Sequence, residues 1–193
     1  MPKYKTENPI FKLKRNLYKI NCGKNKPIYT HQMKKIIEQV ENMLTWHHRV
    51  LIVVFDLHVD AFSLTNKKMS ALVEKARHYL NKNYAIKRFG YCWCREQNIS
   101  DKQHYHIAVM LNGSNIRHPQ KLLKSLIKIW RDIVPGGMLY TPNNCYYTAK
   151  RNNDLEKLKA IYRLSYQAKV WTKDKNGAHA RDYATSQIKA KVA

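Results

Sequence analysis

Val50-Leu51-Ile52-Val53-Val54-Phe55-Asp56-Leu57-His58-Val59 carries an apolar residue at every odd position. Side chains two apart in a strand share a face, so Leu51, Val53, Phe55, Leu57 and Val59 define one side that packs on helices. The even positions end in Asp56 and His58, so the other side turns polar toward one end. The stretch His104-Tyr105-His106-Ile107-Ala108-Val109-Met110-Leu111 repeats that arrangement. Tyr105, Ile107, Val109 and Leu111 form its apolar face, and both histidines lie on the opposite one.

The segments around these strands predict the rest of the order. Met33, Ile36, Ile37, Val40 and Leu44 recur at helical spacing and predict a helix over 31–46. A second helix is expected over 67–80, opened by Ser63-Leu64-Thr65-Asn66. A strand over 85–96 then leads through the polar loop 97–103 into the histidine strand. Pro119 opens a helix to about residue 133, and Pro135-Gly136-Gly137 ends it. A strand is expected near 145–148. Asn153-Asp154 caps a tyrosine-bearing helix over 155–171.

The order is βαββαβ with one helix before it and one after. This predicts an α+β, ferredoxin-like (RRM-like) antiparallel sheet, with helices on one face and the tyrosine helix near the open face. Three units follow: a basic N-terminal arm over 1–30, a folded domain over 31–171 and a basic tail over 172–193.

The chain has 193 residues, with 36 Lys and Arg against 13 Asp and Glu, for a formal charge of +23. That excess points to a polyanionic partner, most simply nucleic acid. No long apolar stretch or apolar leader argues for a membrane or for secretion. The four cysteines do not form a disulfide framework, so reduced, intracellular thiols are expected. Cys92, Cys94 and Cys145 lack the spacing of a zinc ribbon and read as small core residues.

His104 and His106 point the same way and can share a metal ion. Glu96 ends the strand that pairs with them and is the first choice of third ligand. Asp56 and His58 are alternatives, as ligands or as orienting groups. Two nitrogens and a carboxylate, with open positions for phosphate oxygens, suit a divalent ion acting as a Lewis acid. Tyr162, Tyr166 and Lys169 are four and three apart on the expected helix and form one cluster on one face. A tyrosine is a poor nucleophile until its proton leaves, and Lys169 could stabilise the phenolate. Arg163, Lys150, Arg151, Lys124 and Lys128 are candidate DNA contacts.

These residues resemble the HUH superfamily of single-strand endonucleases, and within it the rolling-circle replication initiators. His104-Tyr105-His106 matches the His-hydrophobic-His motif, with a tyrosine in the middle as a departure. Tyr166-Gln167-Ala168-Lys169 matches Tyr-x-x-Lys, and some members carry two tyrosines spaced as Tyr162 and Tyr166 are. Trp93-Cys94-Arg95-Glu96 and Arg163-Leu164-Ser165-Tyr166 look like a prophage-borne family related to filamentous-phage replication proteins. The resemblance implies Mg²⁺ or Mn²⁺, and a single-stranded or hairpin DNA origin as substrate. It also implies a covalent 5′-phosphotyrosine intermediate in a monomer or weak dimer. No Walker-type segment is present, so a host helicase and polymerase are expected partners. A single-tyrosine transposase and a non-catalytic, RRM-like nucleic-acid-binding or regulatory module are the competing readings. The residues alone leave the attacking tyrosine open.

Overall fold

A computed structural model describes residues 4–96, 103–170 and 181–192. Four short strands come first: β1 (Lys5–Thr6), β2 (Ile10–Leu13), β3 (Asn16–Lys19) and β4 (Ile28–Tyr29). Then follow α1 (Thr30–Trp46), β5 (Arg49–His58), α2 (Lys67–Tyr84), β6 (Gly90–Glu96), β7 (His104–Asn112) and α3 (Gln120–Ile133). The chain continues with β8 (Met138–Tyr140), β9 (Tyr146–Lys150), α4 (Asp154–Leu164), a 3-10 turn (Ser165–Ala168) and β10 (Tyr183–Thr185).

The result is a mixed α/β protein with an antiparallel main sheet and four helices among the described residues. The sheet runs β10-β6-β7-β5-β8, and β9 pairs with the same edge of β5 as β8 does. β8 lies beside Asp56 to His58, and β9 lies beside Arg49 to Val53. Among the described residues no helix is long and apolar enough to cross a membrane.

The odd-numbered face of β5 meets α2 and α3, as the alternation predicts. Leu51, Val53, Phe55 and Leu57 pack with Met69, Leu72, Leu126 and Trp130 in one core. Trp130 is fully buried, and its indole Nε1–H donates to the His58 carbonyl at 3.0 Å. This tie holds the polar end of β5 in place.

The expectation of helices on one face only is corrected. Val50, Ile52 and Val54 of β5, with Cys92, Ala108 and Met110, form a second core with α1 and α4. The physical reason is present in β5 itself: its first half is apolar at even positions too, and a strand apolar on both sides must be covered on both sides. Only the end of this second face, beyond Val54 and Ala108, escapes the helices.

The N-terminal segment packs along the domain. Tyr18, Ile20 and Ile28 are buried in the second core. The Asn21 backbone N–H donates to Ser165 Oγ at 2.8 Å, which ties this segment to the tyrosine turn. At the other end, β10 adds a strand beside β6, pairing Tyr183 with Cys94. Ser186 and Ile188 then bond to Gln39 on α1.

Element ends differ from expectation where caps decide them. α2 runs on to Tyr84 because Ala85 adopts a left-handed conformation (φ 51°) and closes the helix with bonds to Asn81 and Leu80. The strand that follows therefore starts only at Gly90. Asn153 caps α4, its side chain accepting from the Leu155 N–H at 3.0 Å. The loop over 97–102 and Trp171, with the tail residues to 180, lie outside the described residues.

Gly90 faces Met110 across the β6–β7 pair. A Cβ there would stand 2.9 Å from Met110 Cβ and 3.2 Å from Met43 Cγ, between sheet and α1. Gly90→Ala is therefore expected to destabilise the fold by about 1–3 kcal/mol through overpacking. A lowered urea midpoint with unchanged slope would show it, and an unchanged midpoint would refute it.

Candidate metal centre and tyrosine turn

The register across β5, β7 and β6 sets the site. Asp56 pairs with His106, which pairs with Cys94, and His58 pairs with His104, which pairs with Glu96. Cross-strand partners share a face, so two adjacent rows place these six side chains on the end of the second face beyond α1 and α4. The backbone spacing alone brings them together, without any special loop.

Glu96, His104 and His106 offer ligand atoms that lie within 4.8 Å of one another. His106 Nε2 is 3.1 Å from Glu96 Oε2 and 3.2 Å from His104 Nε2, and the His104–Glu96 separation is 3.9 Å. Separations of this size suit three bonds of about 2.0–2.2 Å to one divalent ion. Two imidazole nitrogens and one carboxylate oxygen form a donor set that a divalent ion accepts. The residues therefore fit the metal expected from the sequence.

Asp56 takes the orienting position. The His106 Nδ1–H donates to Asp56 Oδ1 at 2.6 Å. That bond turns Nε2 toward Glu96 and His104. His58 stacks on His104, with ring centroids 5.3 Å apart, and packs edge-on against Tyr140 at 4.8 Å. It supports the ring of His104 and stands outside the three-residue cluster. Cys94, read from the sequence as a small core residue, is buried and also borders the site, its thiol donating to Glu96 Oε1 at 3.9 Å. Its alternation with Glu96 on β6 is the signal that could have found it.

The charges are balanced against burial. Burial opposes a charged His106, but hydrogen bonds to Asp56 and Glu96 outweigh it and raise its pKa to about 9. Burial and the neighbouring His106 push His104 below the usual histidine range. In the metal-free site a charged His106 stands between two carboxylates, and an ion bound at Nε2 must displace the proton there. Asp56→Asn keeps the size of the side chain but weakens this orientation. It is expected to lower Mn²⁺ affinity by about 10–100-fold, measured by calorimetry. An unchanged affinity would remove Asp56 from the site.

The tyrosines sit differently from expectation. A continuous helix over 155–171 is not formed: α4 ends at Leu164, and Tyr166 lies in the 3-10 turn. Ser165 Oγ donates to the Tyr162 carbonyl at 2.6 Å and competes with the next helical bond. The turn separates Tyr162 from Tyr166. The Tyr166 ring packs edge-on against His106, with centroids 5.1 Å apart. Lys169 places Nζ 3.8 Å from the centre of the same ring. Tyr166 lines a cleft of about 270 Å³ with Asp56, His106 and Arg163. Tyr162, 40% exposed, lines a different cleft on the other side of Arg163.

Burial raises the Tyr166 pKa to about 12, helped by Glu96, Cys94 and Asp56, while Arg163 pulls it down. Burial also lowers Lys169 below the usual lysine range.

The basic candidates divide. Arg163 is at the site. Lys150 pairs with Arg49, about 30 Å along β5 from His58. Arg151 donates from Nε to the Leu44 carbonyl at 2.9 Å and from Nη2 to the Thr45 carbonyl at 3.2 Å, closing the end of α1. Lys124 and Lys128 are exposed on α3, which packs on the opposite face of the sheet. These four are not brought to the site.

Fold and site together define a mixed α/β protein with a two-histidine, one-glutamate candidate metal centre at the open end of its sheet. The chain belongs to the YagK/YfjJ C-terminal domain family, whose model matches residues 6–185. No curated protein and no solved structure matches it.

Proposed function

We propose that this protein cuts and rejoins single-stranded DNA through a phosphotyrosine on Tyr166, and so starts rolling-circle replication of a phage, plasmid or satellite element. The observation that carries the reading is Tyr166 seated against His106 of the Glu96–His104–His106 cluster, with Lys169 over its ring. A ferredoxin-like sheet is part of this proposal. The order β6-β7-β5 followed by the β8/β9 edge, all antiparallel, supports it.

In the reaction, the Tyr166 oxygen attacks phosphorus and the bond from phosphorus to the 3′ oxygen breaks. The phenol proton passes to water and the leaving oxygen gains a proton, so charge and atoms balance. The product is a 5′-phosphotyrosine and a free 3′-OH, and the reverse attack rejoins the strand. A bound Mg²⁺ or Mn²⁺ would polarise the phosphate and stabilise the leaving oxygen. Arg163 lines the cleft as a phosphate-binding cation. Lys169 lies over the phenol ring, where a cation eases formation of the phenolate. Asp56 holds His106 in orientation, and Glu96 carries the charge that offsets an ion.

The test is a covalent protein–DNA adduct. The protein is mixed with single-stranded oligonucleotides that carry hairpins, with and without Mn²⁺, and run on a denaturing gel. A metal-dependent adduct with a free 3′-OH fragment is the expected result. Salt-sensitive binding with no adduct on any substrate would replace this reading with the binding-module one.

A further inference from the structure

A second cleft, of about 980 Å³, lies between α4 and β9 and takes no part in the metal centre. Leu155, Leu158 and Tyr162 line it from one stripe of α4, at positions i, i+3 and i+7. They are 61%, 40% and 40% exposed, an unusual load of open apolar surface for one helix stripe. Tyr147 of β9 lines the cleft from the sheet. The neighbouring Tyr146 also lines the cleft, and its ring meets His118 edge-on with centroids 6.4 Å apart.

The rim is cationic. Lys19 and Arg163 stand at the cleft as cations, and Lys159 is paired at 2.8 Å with the cleft's one carboxylate, Glu156, so the rim keeps a net positive charge. An apolar floor inside a positive rim fits a ligand with flat apolar faces and a negative backbone. Unpaired nucleobases meet that description, whereas a duplex hides the faces of its bases. An apolar protein partner would cover the same stripe, but the rim charge and the +23 of the whole chain favour a polyanion. Arg163 also lines the Tyr166 cleft, so the two clefts adjoin.

We propose that the α4–β9 cleft binds unpaired bases of single-stranded DNA beside the scissile phosphate, with Tyr162 as a stacking platform and not as a second nucleophile. Phosphates meet Lys19 and Arg163, and a base stacks on the exposed ring of Tyr162. The placement beside a scissile phosphate rests on the nicking proposal, but the binding itself does not.

Fluorescence anisotropy of a labelled 12-residue oligothymidine, without metal, tests it in the full chain. Tyr162→Ala is expected to weaken single-strand binding about tenfold, and Tyr162→Phe to keep it. Binding to a 12-base-pair duplex should change less than twofold in both variants. Tyr162 is on a helix surface, and matching circular dichroism will show that both variants fold. A 5-iodouracil oligonucleotide should crosslink within residues 144–163.

Unchanged single-strand affinity in Tyr162→Ala, an equal loss for duplex, or crosslinks instead in the separate cleft that His31, Lys35, Arg181 and Tyr183 line would overturn the proposal. So would an adduct lost in Tyr162→Phe, which would make Tyr162 a nucleophile. A self-association lost in Tyr162→Ala with DNA affinity unchanged would assign the stripe to a protein contact. If the binding result holds and no adduct forms with wild type, the cleft stands and the nicking proposal fails. If an adduct forms while Tyr162→Ala binds normally, the reverse is true.

Discussion

Tyr166→Phe is expected to abolish the covalent DNA adduct, by more than about a thousandfold, while leaving DNA binding and Mn²⁺ binding within about twofold of wild type. The variant removes one oxygen and keeps the ring that packs against His106 and under Lys169. No metal ligand changes, and the half-buried ring keeps its packing, so stability should be close to wild type. The loss is large because the oxygen is the nucleophile itself, not a group that assists one. Denaturing gels read the adduct, and anisotropy reads the binding. An adduct retained in Tyr166→Phe would move the chemistry to another residue, with Tyr162 the first to examine. The proposal is also constrained by the buried phenol: with its pKa at about 12, Tyr166 is protonated at neutral pH in the metal-free protein. Glu96 and Asp56 contribute to that rise, so cations near the site act directly on its readiness to attack.

Glu96→Gln should have the second-largest effect. Glu96 is 1% exposed and is the only carboxylate in the three-residue cluster. Glutamine preserves its volume and removes its charge, so the donor set becomes two imidazoles and an amide. Mn²⁺ affinity should fall at least about a hundredfold, more than for Asp56→Asn, because Glu96 is a ligand candidate and Asp56 an orienting group. Adduct formation should fall in parallel and recover partly at millimolar Mn²⁺. Calorimetry and the gel assay measure the two effects. Lost adduct with unchanged Mn²⁺ affinity would show that Glu96 acts on DNA or on Tyr166, not on an ion. Circular dichroism guards against a folding defect, since a buried carboxylate between two imidazoles also contributes to local structure.

The candidate metal centre was legible because its chemistry follows a period of two. His104 and His106 alternate with Tyr105 and Ile107, and Glu96 closes the neighbouring strand, so a hairpin in register brings the three together. The rows Asp56–His106 and His58–His104 follow from the same pattern on β5. What the sequence left open was rank. Only the register and the 2.6 Å bond to His106 Nδ1 make Asp56 an orienting group and leave Glu96 facing both histidines.

Other features were not legible, for reasons that are local and physical. The tyrosine segment has helical spacing throughout, yet a serine hydroxyl bonded to the Tyr162 carbonyl ends the α-helix early and divides the tyrosines between two clefts. The strands β1 to β4, β8 and β10 are two to four residues long. Strands so short have no period of their own and exist through their partners. Arg151, read as a DNA contact, instead closes the end of α1, because its guanidinium meets two free helix carbonyls there.

By itself, then, the sequence determined the main strands, the helices that cover their first face, the basic character and the histidine–carboxylate cluster. All of these depend on spacing within a strand, a helix or one hairpin. Tertiary structure alone decided that α1 and α4 cover most of the second face, that Tyr166 and not Tyr162 meets His106, and that the lysines of α3 lie away from the site. These depend on which elements pack together, and packing is set by contacts between residues far apart in the chain, which no local period encodes.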